Sequence, residues 1–355
     1  MRKCSLVLIL PFCALLPVSV KAQSADAKLP NTEIIQRQSE IEASFGSIED
    51  STAIREYRSQ MRELLTQENF VALDSEAVNV RASKARFTGG AWKLHVFYNS
   101  VDYPAAPVPT DADFEKHISL LKRWVAASPE SITARVALAH VYLSYAFAAR
   151  GNGQSNTVTA NGWKLFKART AQAKAVLDGA HSLNEKCPEW YLAMLGVGLQ
   201  QDWNNAQQAE IYRQASEFEP EYYQFYVSYA NYLQPKWDGA PGDAAEMAAE
   251  VADRVGGERG DFLYFEIAQY VAGRGNKPEI KQFSWERIQS GHAALEHLYG
   301  STYTDLNQYA LLAYRFKDVP MAQKLFTRIG NHWNSGVWRT HQNYQTARAQ
   351  MMTAG

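Results

Sequence analysis

From Asn31 onward apolar residues recur at steps of three and four, the spacing that gathers them on one face of an α-helix, and no stretch alternates cleanly with the period of two expected of a half-buried strand. Ile54, Tyr57, Met61, Leu64 and Leu65 make such a face, and Gln67 to Asn69 close the helix. Further helices are predicted over 111–127, 131–149, 161–183, 189–200, 205–217, 221–233, 243–255, 261–272, 284–298, 304–316 and 319–329. Thr110 and Asp113 read as a capping box, each side chain satisfying an amide left unpaired at a helix start. Other starts read at Ser128-Pro129, at Asp243 with Glu246, at Ser284 and at Thr304. Between 82 and 110 the pattern breaks: Gly89-Gly90 precede the apolar run Trp92 to Tyr98, and a loop with Pro104, Pro107 and Pro109 follows.

Short helices joined by short polar turns are the sequence form of stacked helix pairs, each burying its apolar face against the next. The fold class expected is all-α, an α-solenoid of antiparallel helix pairs. The clearest unit is C-terminal, where Ala310 and Ala322 stand twelve apart and Phe326 and Ile329 complete the second helix. That spacing resembles a tetratricopeptide unit, in which small residues let two helices cross closely. Ala139 with Tyr142 forms a weaker copy, and the copy at Ala230 is broken by an inserted Pro235-Lys236-Trp237-Asp238-Gly239 turn. Arg-Gly-Asn occurs at 150–152 and again at 274–276, after alanine-rich helix ends, where glycine supplies a left-handed cap and arginine complements the helix dipole.

The first residues change the picture of where the protein works. Arg2 and Lys3 precede an apolar run from Leu6 to Val20, and Val20-Lys21-Ala22 offers small residues where a signal peptidase cuts. The run is interrupted by Pro11 and Pro17 and is shorter than a spanning helix needs. The expected organisation is a signal peptide over 1–22, an N-terminal helical segment over 23–103 and a tetratricopeptide-like array over 104–355, with no membrane span in the mature, exported chain. Phe12 before Cys13 argues against lipid attachment there. Loss of Arg2, Lys3 and Lys21 takes the formal charge from −1 to −4, so no basic field gathers phosphates and nucleic acid is excluded as the expected partner. Cys4 and Cys13 leave with the signal, so Cys187 has no internal disulfide partner and reads as a small buried hydrophobe.

Phe70-x-x-Leu73-Asp74, then Arg81-Ala-Ser-Lys84-x-Arg86-Phe87-x-Gly-Gly-x-Trp92-Lys93-Leu94-x-x-Phe97-Tyr98, resembles the opening of a bacterial family, domain of unknown function 4034. Ala149-Arg150-Gly151, Gly162-Trp163, Cys187-Pro188-x-Trp190-Tyr191, Glu219-Pro220-x-Tyr222 and Pro235-Lys236-Trp237-Asp238-Gly239 extend the resemblance, which covers most of residues 60–340. It implies a tetratricopeptide-like helical array, often exported, and supplies no catalytic residues.

Local chemistry is sparse. Among eight histidines, His292 and His297 stand five apart on different faces of a helix, and His332 and His341 have no Cys partners nearby, so neither metal nor cofactor is expected. No Gly-x-Ser-x-Gly elbow, phosphate-binding Gly-rich loop or dinucleotide fingerprint is present. Glu266, inside the apolar helix Phe262 to Val271 and close to Asp261, is the candidate general acid of an alternative reading as a cell-envelope hydrolase, opposed to a glutamate on the helix's solvated or groove-facing edge. Aromatic residues crowd 189–237: Phe225, Tyr229 and Tyr232 share one helix face, Tyr222 and Tyr226 another. Interhelical packing accounts for that density, and the competing reading is a groove whose rings stack on a peptide or a sugar. The leading reading is a binding or scaffold module for a polypeptide, with a carbohydrate as the other ligand class and with Trp237, Tyr226 and Arg150 as contacts.

Overall fold

A computed structural model describes residues 48–106, 108–151, 153, 155–235, 237, 239–273 and 277–354; residues 1–47, with the signal sequence read from them, and the second Arg-Gly-Asn lie outside this set. The protein is all-helical. Its first helices are α1 (Ile48–Thr66), α2 (Phe70–Ser83), α3 (Lys93–Val101), α4 (Asp111–Ala127), α5 (Ile132–Arg150), α6 (Ala160–His181), α7 (Pro188–Gln200), α8 (Asn205–Phe218) and α9 (Tyr223–Tyr232). They are followed by α10 (Asp243–Val255), α11 (Gly257–Gly273), α12 (Lys277–Ile280), α13 (Trp285–Tyr299), α14 (Tyr303–Phe316), α15 (Val319–Ile329), α16 (Ser335–Trp338) and α17 (His341–Thr353). Extended pairing among the described residues is limited to one bridge, Arg86 to Trp92.

The periodicity located most helix bodies to within a few residues, and the caps show what sets their ends. Thr110 and Asp113 form the expected box on α4. Asn204 with Gln207 and Thr302 with Asp305 do the same for α8 and α14. At three starts the capping residue differs from the sequence expectation, although α10 begins at Asp243 as expected. Ser128 ends α4, and α5 is capped instead by Ser131, whose hydroxyl also donates to Asp74 at 2.6 Å. Gly242, at φ +98°, precedes α10, while Asp243 Oδ2 accepts from the Ala240 amide at 2.7 Å. The cap of α14 is Thr302, two residues before Thr304. Helix α2 escaped the pattern for a physical reason: Phe70, Leu73, Ala77 and Val80 are buried, but Val71 and Val78 stand exposed and blur its apolar face.

Packing runs mostly between sequence neighbours, as in α5 with α6, α7 with α8, α10 with α11 and α14 with α15. A second run links α5, α7, α9, α11 and α14 across the pairs. Ala310 and Ala322 are both fully buried, with Phe326 and Ile329 beside them. One apolar cluster extends from Tyr57 to Phe225, a second from Tyr226 to Met351, and a small third joins Ala146, Phe147 and Phe166. Helix α5 is long and apolar enough to cross a membrane, but 78% of its apolar window is buried among other helices, as a core helix would be. A contact that breaks the neighbour order is the Gly89-Gly90 turn, which docks on α13 about two hundred residues later.

Candidate functional site

The turn between α2 and α3 gathers the motifs that the sequence scatters. Gly89 and Gly90 take φ of +80° and +78°, which glycine adopts without steric cost. The Gly89 amide donates to the Gly300 carbonyl at 3.2 Å. A Cβ on Gly90 would lie 2.7 Å from Phe262, so only a bare backbone fits against α11 and α13. Behind the turn the Arg86 guanidinium lies 4.1 Å over Trp92 and 4.8 Å over Tyr299, and it donates to the Gly90 and Glu221 carbonyls at 3.3 Å. Trp92 Nε1 donates to the same Glu221 carbonyl at 3.3 Å, and its ring sits 4.8 Å from Tyr222. Lys84 pairs with Glu219 at 2.8 Å. Segments 84–92 and 219–222 are therefore two sides of one joint.

Beneath that joint lies a buried relay of ionisable groups. Glu189, in the first turn of α7, is fully buried; one of its oxygens receives His95 Nδ1 at 2.7 Å and the Tyr222 hydroxyl. Its other oxygen lies 3.6 Å from His140 Nε2, and His140 Nδ1 is 3.1 Å from Asp102. Burial pushes the Glu189 carboxyl up, but His95, His140 and the Tyr222 hydroxyl outweigh it and hold the group below the usual carboxylate range. Cys187 Sγ is 3.3 Å from the Tyr98 hydroxyl. Burial pushes both the thiol and that phenol up, so Cys187 is an inert buried thiol of the kind its sequence context suggested. Among the described residues, no group of three or more His, Cys, Asp and Glu side chains is placed to hold a metal ion.

Sequence reasoning passed over this relay. Its signals were present but faint: His140 interrupts the alanine-rich run of α5, His95 sits inside the apolar run Trp92 to Tyr98, and Glu189 fills the open position of Cys187-Pro188-x-Trp190.

Glu266 is 7% exposed, not on a solvated edge. Burial, then the charge of Asp305, raise its carboxyl well above the usual range, against the opposing pull of Arg86 and of Gln269, whose Nε2 donates to it at 2.6 Å. Asp305 comes from the α14 capping box; Asp261, its sequence neighbour, is not among the groups that shift it. A carboxyl raised in the folded state favours unfolding as pH climbs from the unfolded value, because the unfolded chain releases the proton first. Glu266→Gln is therefore expected to raise the melting temperature at about pH 7 and to change it little at about pH 4. Thermal unfolding at the two pH values measures this, and equal shifts at both would show the carboxyl ionised in place.

The three contacts named from sequence separate. Tyr226 is fully buried, donates to the Pro220 carbonyl at 2.7 Å and accepts from Arg254 at 3.3 Å, so it is a packing residue of α9 rather than part of an open groove. Tyr222 and Phe225 are buried with it, and Tyr229 stacks on Tyr212 at 4.0 Å, so most of the aromatic density serves packing. Arg150 and Trp237 are linked through Trp163, which lies by Arg150 and packs on the same small cluster as Trp237. Arg150 is buried, donating to the Gly151 and Gly153 carbonyls at 3.0 Å beneath Trp163. Trp163 and Trp237, both partly exposed, pack on Phe147 and Phe166. Trp237 Nε1 finds no acceptor among the described residues.

Compared with known proteins, residues 57–193 match the family model described as Domain of unknown function (DUF4034). No curated protein and no solved structure matches the chain. The matched stretch holds the Gly-Gly turn, Trp92 and every relay residue except Tyr222.

Proposed function

We propose that this chain, whose residues 57–193 match the model of the domain of unknown function 4034, is an exported helical-repeat scaffold that holds a polypeptide on its surface. The observation that carries this reading is the meeting of Trp163 and Trp237, about seventy residues apart, as two partly exposed indoles on one apolar base. An indole offers a large apolar face on which side chains of an extended peptide pack, and the exposed part of Trp237 is its ring, the N–H being buried. Helices stacked pair on pair supply a rigid frame for such a rim. The ionisable clusters around Glu189 and Glu266 lie inside that frame, spent on holding helices together. Export follows from the signal sequence and gives a mature chain beginning near Gln23.

The test uses protein recovered from the export compartment and a phage-displayed library of unstructured peptides. The wild type is expected to enrich a related set of sequences, and Trp237→Ala to weaken their binding by at least about tenfold while leaving the melting temperature nearly unchanged. Enrichment no better than that of an unrelated helical protein, or binding indifferent to Trp237→Ala, sinks the reading. Carbohydrate, the other ligand class, is examined by the same assay on immobilised glycans.

A second reading, a cell-envelope hydrolase with Glu266 as acid, draws support from its raised carboxyl. It ranks lower because the group lies against Arg86, Asp305 and Gln269 with little surface open to a substrate.

A further inference from the structure

The relay beneath the joint has no part in holding a peptide at Trp237, yet its geometry makes a specific demand. His140 stands between two buried carboxylates, with Nδ1 3.1 Å from Asp102 and Nε2 3.6 Å from Glu189. A neutral imidazole carries one N–H and turns a lone pair to the other side, so in either tautomer one buried carboxylate would face a lone pair. Only the imidazolium presents N–H to both. Asp102 Oδ1, Glu189 Oε2 and His140 Nε2 have no hydrogen-bond partner among the described residues, so the charge of this ring compensates Asp102 and adds to what His95 and Tyr222 give Glu189.

His95, 2.7 Å from Glu189, shares in compensating that carboxylate, but it is His140 that stands against Asp102 and Glu189 together. From α3 come His95, Tyr98 and Asp102; the start of α7 brings Cys187 and Glu189, and the approach to α9 brings Tyr222. Arg81 of α2 faces Cys187 and is paired with Glu185. His117 of α4 bonds the Val101 carbonyl at 2.8 Å near Asp102, Tyr103 flanks Asp102, and Arg62 of α1 donates to the Ser100 carbonyl at 3.3 Å. Burial holds Tyr98, Tyr222 and Cys187 neutral, and it keeps His117 below the ordinary imidazole range.

We propose that His140 is a proton-operated latch: protonated, it ties α3, α5 and α7 together and keeps Tyr222 on Glu189, and on losing its proton it lets residues 219–226 part from 84–94 while the helices stay folded. The opening is placed there because Tyr222 ties Glu189 to the joint, and the Lys84–Glu219 pair across it has its lysine half-exposed. Burial would lower the ring's proton affinity, but the hydrogen bond to Asp102 and the charges of Glu189 and Asp102 overcome it and hold His140 above the ordinary range. A raised imidazole contributes stability that is complete below the unfolded value and lost as pH rises through the folded one, so the latch opens on the alkaline side. Glu189, held below its ordinary range, sets a separate loss at strong acid.

Hydrogen exchange of the full chain, corrected for intrinsic rates, tests this between about pH 5.5 and about pH 9. Peptides covering 84–94 and 219–226 are expected to lose protection by about tenfold or more on the alkaline side, with α14 and α15 and the helical circular dichroism unchanged. Glu189→Gln removes one of the two carboxylates, so its protection profile is expected to be flat with pH. A direct proton resonance titration of His140 is expected above the ordinary imidazole value in the wild type and lower in Glu189→Gln. Flat protection in the wild type, loss only together with global unfolding, or an unchanged slope in Glu189→Gln would each overturn the latch. None of these outcomes depends on peptide binding at Trp237.

Discussion

Replacement of Trp92 by alanine is expected to lower the unfolding free energy by about 3–5 kcal/mol, the range for truncating a fully buried aromatic side chain. The ring is 1% exposed and serves three elements at once: it carries the Arg86 guanidinium, leans on Tyr222 and donates to the Glu221 carbonyl. Truncation leaves a cavity and also leaves Arg86, itself nearly buried, without its main ring partner. The same change at Trp163, which is partly exposed, should cost distinctly less. Urea unfolding of both variants measures the difference as a shift of midpoint at constant slope. A loss below about 1 kcal/mol at Trp92 would mean that the joint between 84–92 and 219–222 does not close around this ring.

That joint marks the limit of what the chain discloses before it folds. Helix bodies were legible because burial repeats every three or four residues within one element, and the Thr110 and Ser284 caps were legible because their partners lie three residues on. The cap expected at Ser128 moved to Ser131 because a proline turn can begin a helix at more than one nearby hydroxyl, and the link to Asp74, invisible locally, accompanies the choice. The relay left only faint signals, because its members and those of the joint above it lie far apart in the chain. His95 and Glu189 are 94 positions apart, Tyr222 and Glu189 are 33, and Trp92 and Glu221 are 129. Which helix faces meet at such separations is set by packing, on which periodicity is silent. Glu266 is the intermediate case: its place in an apolar helix disclosed its desolvation, while its partner proved to be Asp305 on another helix rather than Asp261 beside it.

Gly90→Ala tests the same joint from the opposite direction, by adding volume instead of removing it. Two costs are expected to combine. At φ +78° an L-residue is strained by about 1–2 kcal/mol, and the added carbon would stand 2.7 Å from Phe262 and 3.1 Å from Tyr299, a clash typically worth about 1–3 kcal/mol. Gly242 separates the two. It takes φ +98° with no heavy atom within 4 Å of the Cβ position, so Gly242→Ala should show the backbone cost alone. The expected pattern in urea unfolding is a total of about 2–5 kcal/mol at Gly90 against about 1–2 kcal/mol at Gly242. Gly90→Ala should also loosen the docking of the turn on α11 and α13, seen as faster exchange of the Gly89 amide, which donates to Gly300. Equal losses at the two glycines would mean that Phe262 and Tyr299 yield without penalty. In that case the turn would rest on α13 instead of interlocking with it, and a contact that joins the N-terminal helices to the C-terminal ones out of sequence order would be a loose one.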